Sequence, residues 1–180
     1  MNFLDLVRRR QSDRGFSARA VEREQIERCL EAAMLAQSAC NSQPWFFVVV
    51  DDSELRRGVA DALQGLGMNR FAVTAPVLVA VVAEKPALLP RLGGLVKDKP
   101  YWLMDIGMAV ENLCLQAADE GLGTCIIGWF DEPTVRKLLG IPKGKRVPLV
   151  VALGYAADTT VRPKVRKTPD ETRAYNRYPG

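Results

Sequence analysis

Apolar positions along the chain fall into two periods. Phe3, Leu6 and Val7 recur at helical spacing ahead of the basic run Arg8-Arg9-Arg10, and a second helical stripe runs from about Val21 through Ile26, Leu30 and Met34 to end near Gln37. Trp45 to Val50 is a continuous apolar, β-branched run of strand length, which predicts a strand buried on both faces. Asp51-Asp52-Ser53 breaks that run and predicts the start of a helix carrying Leu55, Val59, Ala62 and Leu66 on one side. Pro76 opens a second buried strand, Val77 to Ala83. From about Tyr101 a long amphipathic helix carries Ile106, Ala109, Leu113 and Ala117 and stops at Gly121, as a helix C-terminal glycine does. A third strand is expected over Thr124 to Phe130, a short helix from Asp131 and Pro133 to Gly140, and a fourth strand over Val147 to Gly154. Residues 84–100, with three prolines and the Gly93-Gly94 pair, form an irregular region expected to border the active site.

Four strands interleaved with at least four helices define an α/β or α+β sandwich, and periodicity alone does not choose between them. A chain of 180 residues fits one domain over 1–180. Beyond Tyr155 it turns polar and basic, with Arg162, Lys164, Arg166 and Lys167 crowded together. That tail has little apolar surface with which to anchor on its own core, so Tyr175 and Tyr178 are expected to dock on a partner.

Composition narrows the chemistry. Histidine is absent, which excludes Ser-His-Asp and Cys-His catalysis and every histidine metal site. Cys29, Cys40, Cys114 and Cys125 lack CxxC spacing and lie among apolar or small neighbours, so they read as reduced core thiols. No apolar stretch has the length of a membrane span, and Asp5 interrupts the start where a secretory signal would be basic and then apolar. A soluble, cytoplasmic protein is the expectation. The net charge of +4 and a pI near 9.0 favour anionic partners: nucleic acid, phosphate-bearing cofactors or acidic lipids.

Two segments stand out. In Arg10-Gln11-Ser12-Asp13-Arg14-Gly15-Phe16, guanidiniums flank a hydroxyl just after a helix, an arrangement suited to a phosphate monoester. A solvated basic helix end is the plainer alternative. In Ser38-Ala39-Cys40-Asn41-Ser42-Gln43-Pro44-Trp45, small residues allow close approach to a flat ring, and Asn41 and Gln43 supply amides for a heterocycle edge. A polar helix-to-strand turn with Trp45 in the core is the alternative there.

Taken together, Arg-x-Ser-x-Arg-x-Phe followed by Ser-x-x-Asn-Ser-Gln-Pro-Trp resembles the opening of the FMN-dependent nitroreductase family. Asp105-Ile106-Gly107, Glu111-Asn112-Leu113, Gly121-Leu122-Gly123-Thr124 and the tail segment Arg162-Pro163-Lys164-Val165-Arg166 extend the similarity, in order, over nearly the whole chain. The resemblance implies an α+β fold with a central mixed β-sheet flanked by helices, and a homodimer with FMN at the subunit interface. It implies that Arg10 and Ser12, joined by Lys164 and Arg166, hold the FMN phosphate and ribityl chain, with Gln11 between them a further cofactor-binding residue. Arg14 would stand near the pyrimidine end of the isoalloxazine. Ser38 and Ala39, with Asn41 in the same turn, would lie along the ring, Asn69 would read its polar edge, and Gly121 to Thr124, including Gly123, would supply backbone near it. Gln11 stands where the family often has Arg or His, Gln37 where many members have proline, and the chain is shorter than the better-known members.

The activity so implied is hydride transfer from NADH or NADPH, through flavin N5, to a nitroaromatic, quinone or similar small acceptor in a ping-pong cycle. No catalytic side chain and no metal are called for. The competing readings are an FMN-binding redox sensor or flavin store without turnover and, with little aromatic interleaving to support it, a basic nucleic-acid-binding module.

Overall fold

The computed structural model describes residues 2–84 and 99–179. The irregular region expected to border the active site lies almost entirely outside them. Among the described residues, six helices and four strands follow in the order α1 (Phe3–Arg9), α2 (Arg23–Met34), β1 (Trp45–Val50), α3 (Ser53–Leu63), β2 (Val77–Ala83), α4 (Tyr101–Asp119), β3 (Gly123–Ile127), α5 (Glu132–Leu138), β4 (Arg146–Gly154) and α6 (Pro169–Thr172), with short 3-10 turns at Ala39–Asn41 and Arg70–Thr74. The sheet order is β1-β2-β4-β3.

Alternation along β2 builds two cores. Val77, Val79 and Val81 face α2 and α4, packing on Ile26, Cys29, Ile106, Val110 and Leu113. Leu78, Ala80 and Val82 face the other way, onto Val59, Ala60 and Leu63 of α3 and Val135 of α5. Helices on both faces of the sheet explain why β2 reads as an unbroken apolar run. Asp52 and Asp131 accept hydrogen bonds from Leu55 N and Thr134 N and so start α3 and α5, as the sequence predicted. The long helix ends as predicted at Gly121, whose φ of +77° lets Leu122 N reach back to Ala117 O at 2.8 Å.

Several expectations are corrected. Among the described residues the three strand pairings are all antiparallel, and the mixed character expected of the sheet is confined to one isolated parallel bridge between Ser12 and Thr124. The N-terminal segment touches the outer edge of β3 there for a single residue pair, too briefly to add a strand. β1 is an edge strand and not buried on both faces: Phe46 is exposed and Phe47 to Val49 are half-buried. Leu66 is exposed because α3 ends at Leu63 and the chain turns through Gly65 at positive φ. β3 stops at Ile127, leaving Trp129 outside the sheet and exposed. Cys29, Cys114 and Cys125 are core thiols, with burial pushing Cys29 up to about 12 and Cys114 to about 11, whereas Cys40 is exposed on a turn. No helix among the described residues is long and apolar enough to cross a membrane.

Where α4 ends it is tied to α2. Glu120 accepts from Arg28 at 2.8 Å and from Gln116 at 3.1 Å, and its carboxyl falls from 4.5 to about 2, chiefly through the Arg28 hydrogen bond. A depressed folded pKa gives stability that is present above the unfolded value and lost as pH falls through the folded one. Wild-type protein is therefore expected to lose stability relative to Glu120→Gln between about pH 4.5 and about 2. Denaturant midpoints of the two proteins across that range check this; parallel curves would mean the pair contributes nothing.

Candidate functional site

The end of α1 delivers Arg10, Gln11 and Ser12 to one side of an open cleft, and the tail delivers Arg162, Pro163, Lys164, Val165 and Arg166 to the other. Residues 150 and more positions apart thus meet: Lys164 Nζ donates to the Arg10 carbonyl, and the Arg162 guanidinium to the Ser12 carbonyl. Four of the residues implied as phosphate ligands, Arg10, Ser12, Lys164 and Arg166, line this single cleft.

The electrostatics are those of a site short of negative charge. The Lys164 ammonium is pushed below its ordinary value by burial and by neighbouring Arg10, Arg166 and Arg162. Arg10 pairs with Glu111 on α4 at 3.4 Å, but its buried Nε has no hydrogen-bond partner. A buried guanidinium nitrogen left unsatisfied is uncommon and suits an anionic oxygen. Gln11 is occupied otherwise: its amide nitrogen donates to Asp13 Oδ1 at 2.9 Å and Thr160 O at 3.0 Å, and its oxygen accepts from Arg162 N at 3.1 Å. Arg14, two residues beyond Ser12, is exposed. Gly121 and Gly123 border an adjoining small cavity with Arg10, Gln11 and Asp13.

Ser38, Ala39 and Asn41 occupy a second location and line neither cavity. The Asp105 carboxylate, buried on α4, accepts from Ala39 N at 3.2 Å, and Ser38 Oγ accepts from Gln43 N at 2.9 Å. Between these ties Cys40, Asn41 and Gln43 all adopt positive φ, at 51°, 52° and 44°. Such backbone costs on the order of 1–3 kcal/mol per residue and persists only where surroundings over-determine it. The two locations hang from α4 at Glu111 and Asp105, ~9 Å apart along the axis on faces roughly 120° apart. Asn69 is at a third place, where its amide nitrogen donates to Leu63 O at 3.0 Å and Trp129 O at 2.9 Å.

Arg162, Glu111 and Asp105 were not singled out as site residues from the sequence. Arg162 was findable, since 162, 164 and 166 alternate and an extended segment sends alternate side chains to one side. The two acids lie in segments that carry the family resemblance, but nothing local pairs them with Ala39 and Arg10, since only packing brings them together. Among the described residues no group of three or more histidine, cysteine, aspartate or glutamate side chains could hold a metal ion.

Fold and cleft together define an α+β protein with helices on both faces of an antiparallel sheet and a cation-lined cleft assembled from both ends of the chain. The nitroreductase family profile matches residues 7–68 and 64–155, and the chain belongs to that family. It is 35% identical, over 86% of each chain, to an Archaeoglobus fulgidus protein with the provisional name NADH dehydrogenase/NAD(P)H nitroreductase. An iodotyrosine deiodinase from Thermotoga neapolitana is 28% identical over 86% of this chain and 88% of its own. A nitroreductase family protein of known structure from Clostridium novyi superposes with a TM-score of 0.78 at 30% identity, covering 91% of this chain and 89% of the other.

Proposed function

We propose that this nitroreductase-family oxidoreductase binds FMN and passes reducing equivalents from NADH or NADPH to a small acceptor such as a nitroaromatic or quinone. The observation that carries this reading is the convergence of Arg10, Ser12, Lys164 and Arg166 on one cleft. In it, Arg10, Ser12, Lys164 and Arg166 hold the phosphate end. Arg14 stands toward the pyrimidine, and Ser38, Ala39, Asn41 and Asn69 meet the ring with backbone from Gly121 and Gly123. FMN, when bound, supplies the two-electron chemistry. The protein supplies position and charge: cations fix the phosphate, small residues admit the ring, and no side-chain base is required because water provides protons. Donor and acceptor take turns at one site, giving ping-pong kinetics. The deciding experiment is an absorbance spectrum of purified or FMN-reconstituted protein before and after anaerobic NADPH addition. A flavin band that bleaches, with steady NAD(P)H consumption once acceptor is added, is the expected result. No flavin after reconstitution overturns the reading, and bleaching without turnover favours a sensor or store.

The same reading requires a homodimer. One chain hangs its phosphate cleft and its Ser38–Asn41 turn from different faces of α4, so a second copy is the natural source of the missing half. Phe3, Leu4, Met34, Leu35, Leu103 and Met104 are exposed, as are Tyr175 and Tyr178 in the tail. Gly107, mid-helix in α4, has open space where a Cβ would stand. Glycine there destabilises an isolated helix by roughly 0.5–1 kcal/mol relative to alanine and permits close approach of another backbone. Light scattering after size exclusion at low micromolar concentration is expected to give twice the 19.9 kDa chain mass. A flavin-loaded, active monomer would refute the shared site.

A further inference from the structure

Asp13 is a buried acid that the proposed chemistry does not use. Its residue is 8% exposed, and it fits only because β3 offers glycine: a Cβ on Gly123 would lie 2.6 Å from Asp13 Oδ2. Its backbone is pinned by donation from Asp13 N to Thr124 O at 2.8 Å. Its Oδ1 accepts from Gln11 Nε2, the same amide that donates to Thr160 O and accepts from Arg162 N, and the Arg162 guanidinium lies 3.9 Å away. Apart from the donation of the Arg162 guanidinium to the Ser12 carbonyl, the side-chain contacts that fasten tail residues 160–162 to residues 11–13 run through Gln11, which the Asp13 carboxylate holds, or to that carboxylate itself. The charged or titratable groups facing it are Arg162, Lys164 and Asp158 from the tail and Cys125 from β3. Burial raises the Asp13 carboxyl above its ordinary value, so an ionised acid at this place is unfavourable for folding.

We propose that Asp13 is a positioning residue: its carboxylate, through Gln11 and Arg162, clasps the tail onto the end of α1 and so sets Lys164 and Arg166 into the phosphate cleft. This rests on the reading of that cleft as the FMN phosphate site. A buried, partly paired charge is weak as a source of stability and is retained where it specifies an arrangement. The direction of its effect on FMN separates the clasp from bare electrostatics. Removing a negative charge beside a phosphate site tightens phosphate binding by Coulomb's law, whereas losing the clasp weakens it.

The test compares wild-type protein with Asp13→Asn and Gln11→Ala, the second cutting the same clasp without altering the buried charge. Three quantities are read: FMN and riboflavin affinities, thermal unfolding of the flavin-free protein, and tryptic cleavage after Lys164, Arg166 and Lys167. In Asp13→Asn the unfolding midpoint is expected to hold or rise, tail cleavage to accelerate several-fold, and the preference for FMN over riboflavin to shrink roughly two- to tenfold. Gln11→Ala is expected to repeat the last two effects. A raised folded pKa means the carboxyl is protonated first as pH falls, so the FMN advantage of wild type over Asp13→Asn is expected to shrink as pH falls through that raised value. Tighter FMN binding in Asp13→Asn, or tail cleavage unchanged in both variants, overturns the clasp. Faster tail cleavage in a protein that binds no flavin overturns the functional reading and leaves the clasp standing.

Discussion

Replacing Arg10 with alanine is expected to weaken FMN binding roughly tenfold to hundredfold while leaving riboflavin binding nearly unchanged. Losing a hydrogen bond to a charged group costs about 1.5–3 kcal/mol, which sets that range. Arg10 lines the cleft, and its loss leaves Glu111 on α4 without its cation. The tail stays in place in this variant, because Lys164 holds the backbone carbonyl of Arg10 and alanine keeps it. Arg10→Lys should fall between the two, restoring charge but not a guanidinium nitrogen at that point. Fluorescence titration of flavin-free protein with the two flavins makes the measurement. Equal losses for FMN and riboflavin would assign Arg10 to something other than the phosphate.

Gly154→Ala is expected to lower the stability of the flavin-free protein by about 1–3 kcal/mol. For a chain of this size that is roughly 2–12 °C in unfolding midpoint. Gly154 ends β4, where a Cβ would lie 2.4 Å from Pro76 Cδ, 2.6 Å from Pro76 Cγ and 3.2 Å from Phe16 Cδ1. A proline ring cannot swing aside as a long side chain can. Phe16 belongs to the segment that carries Ser12 and Arg14, and its bridge to Ala156 transmits any shift toward the cleft. FMN affinity should therefore fall along with stability. Gly144→Ala is the control, since nothing lies within 4 Å of a Cβ there. Coincident unfolding midpoints for the two variants at equal protein concentration would mean that Pro76 yields without strain.

Element identity was legible wherever a local period or a cap decided it. β2 reads as a strand because two opposite cores demand apolar residues on both of its faces. α4 reads as a helix with a defined end because Gly121 alone satisfies the left-handed residue of its C-terminal motif. The errors are of another kind. Phe46 looked buried because its neighbours are β-branched, yet β1 falls on the sheet edge, and position in a sheet is not written in a strand's own residues. Cys40 looked like a core thiol from its small neighbours, but the left-handed turn it occupies sends it to the surface.

The candidate site divides the same way. Arg10, Ser12, Lys164 and Arg166 could be named from the sequence as candidate ligands because they stand in the segments that carry the family resemblance. Their convergence, the pairing of Arg10 with Glu111, the hold of Asp105 on Ala39 and the burial of Asp13 beneath Gln11 could not. By itself the sequence determined most of the helices and strands and the family, since each depends on short-range periodicity or on recognisable local motifs. Only the tertiary structure decided which acid faces which cation, which strand lies at an edge and that the phosphate cleft and the Ser38–Asn41 turn sit on different faces of one helix. Those outcomes depend on contacts between segments as many as 154 positions apart, and no local rule of the chain encodes them.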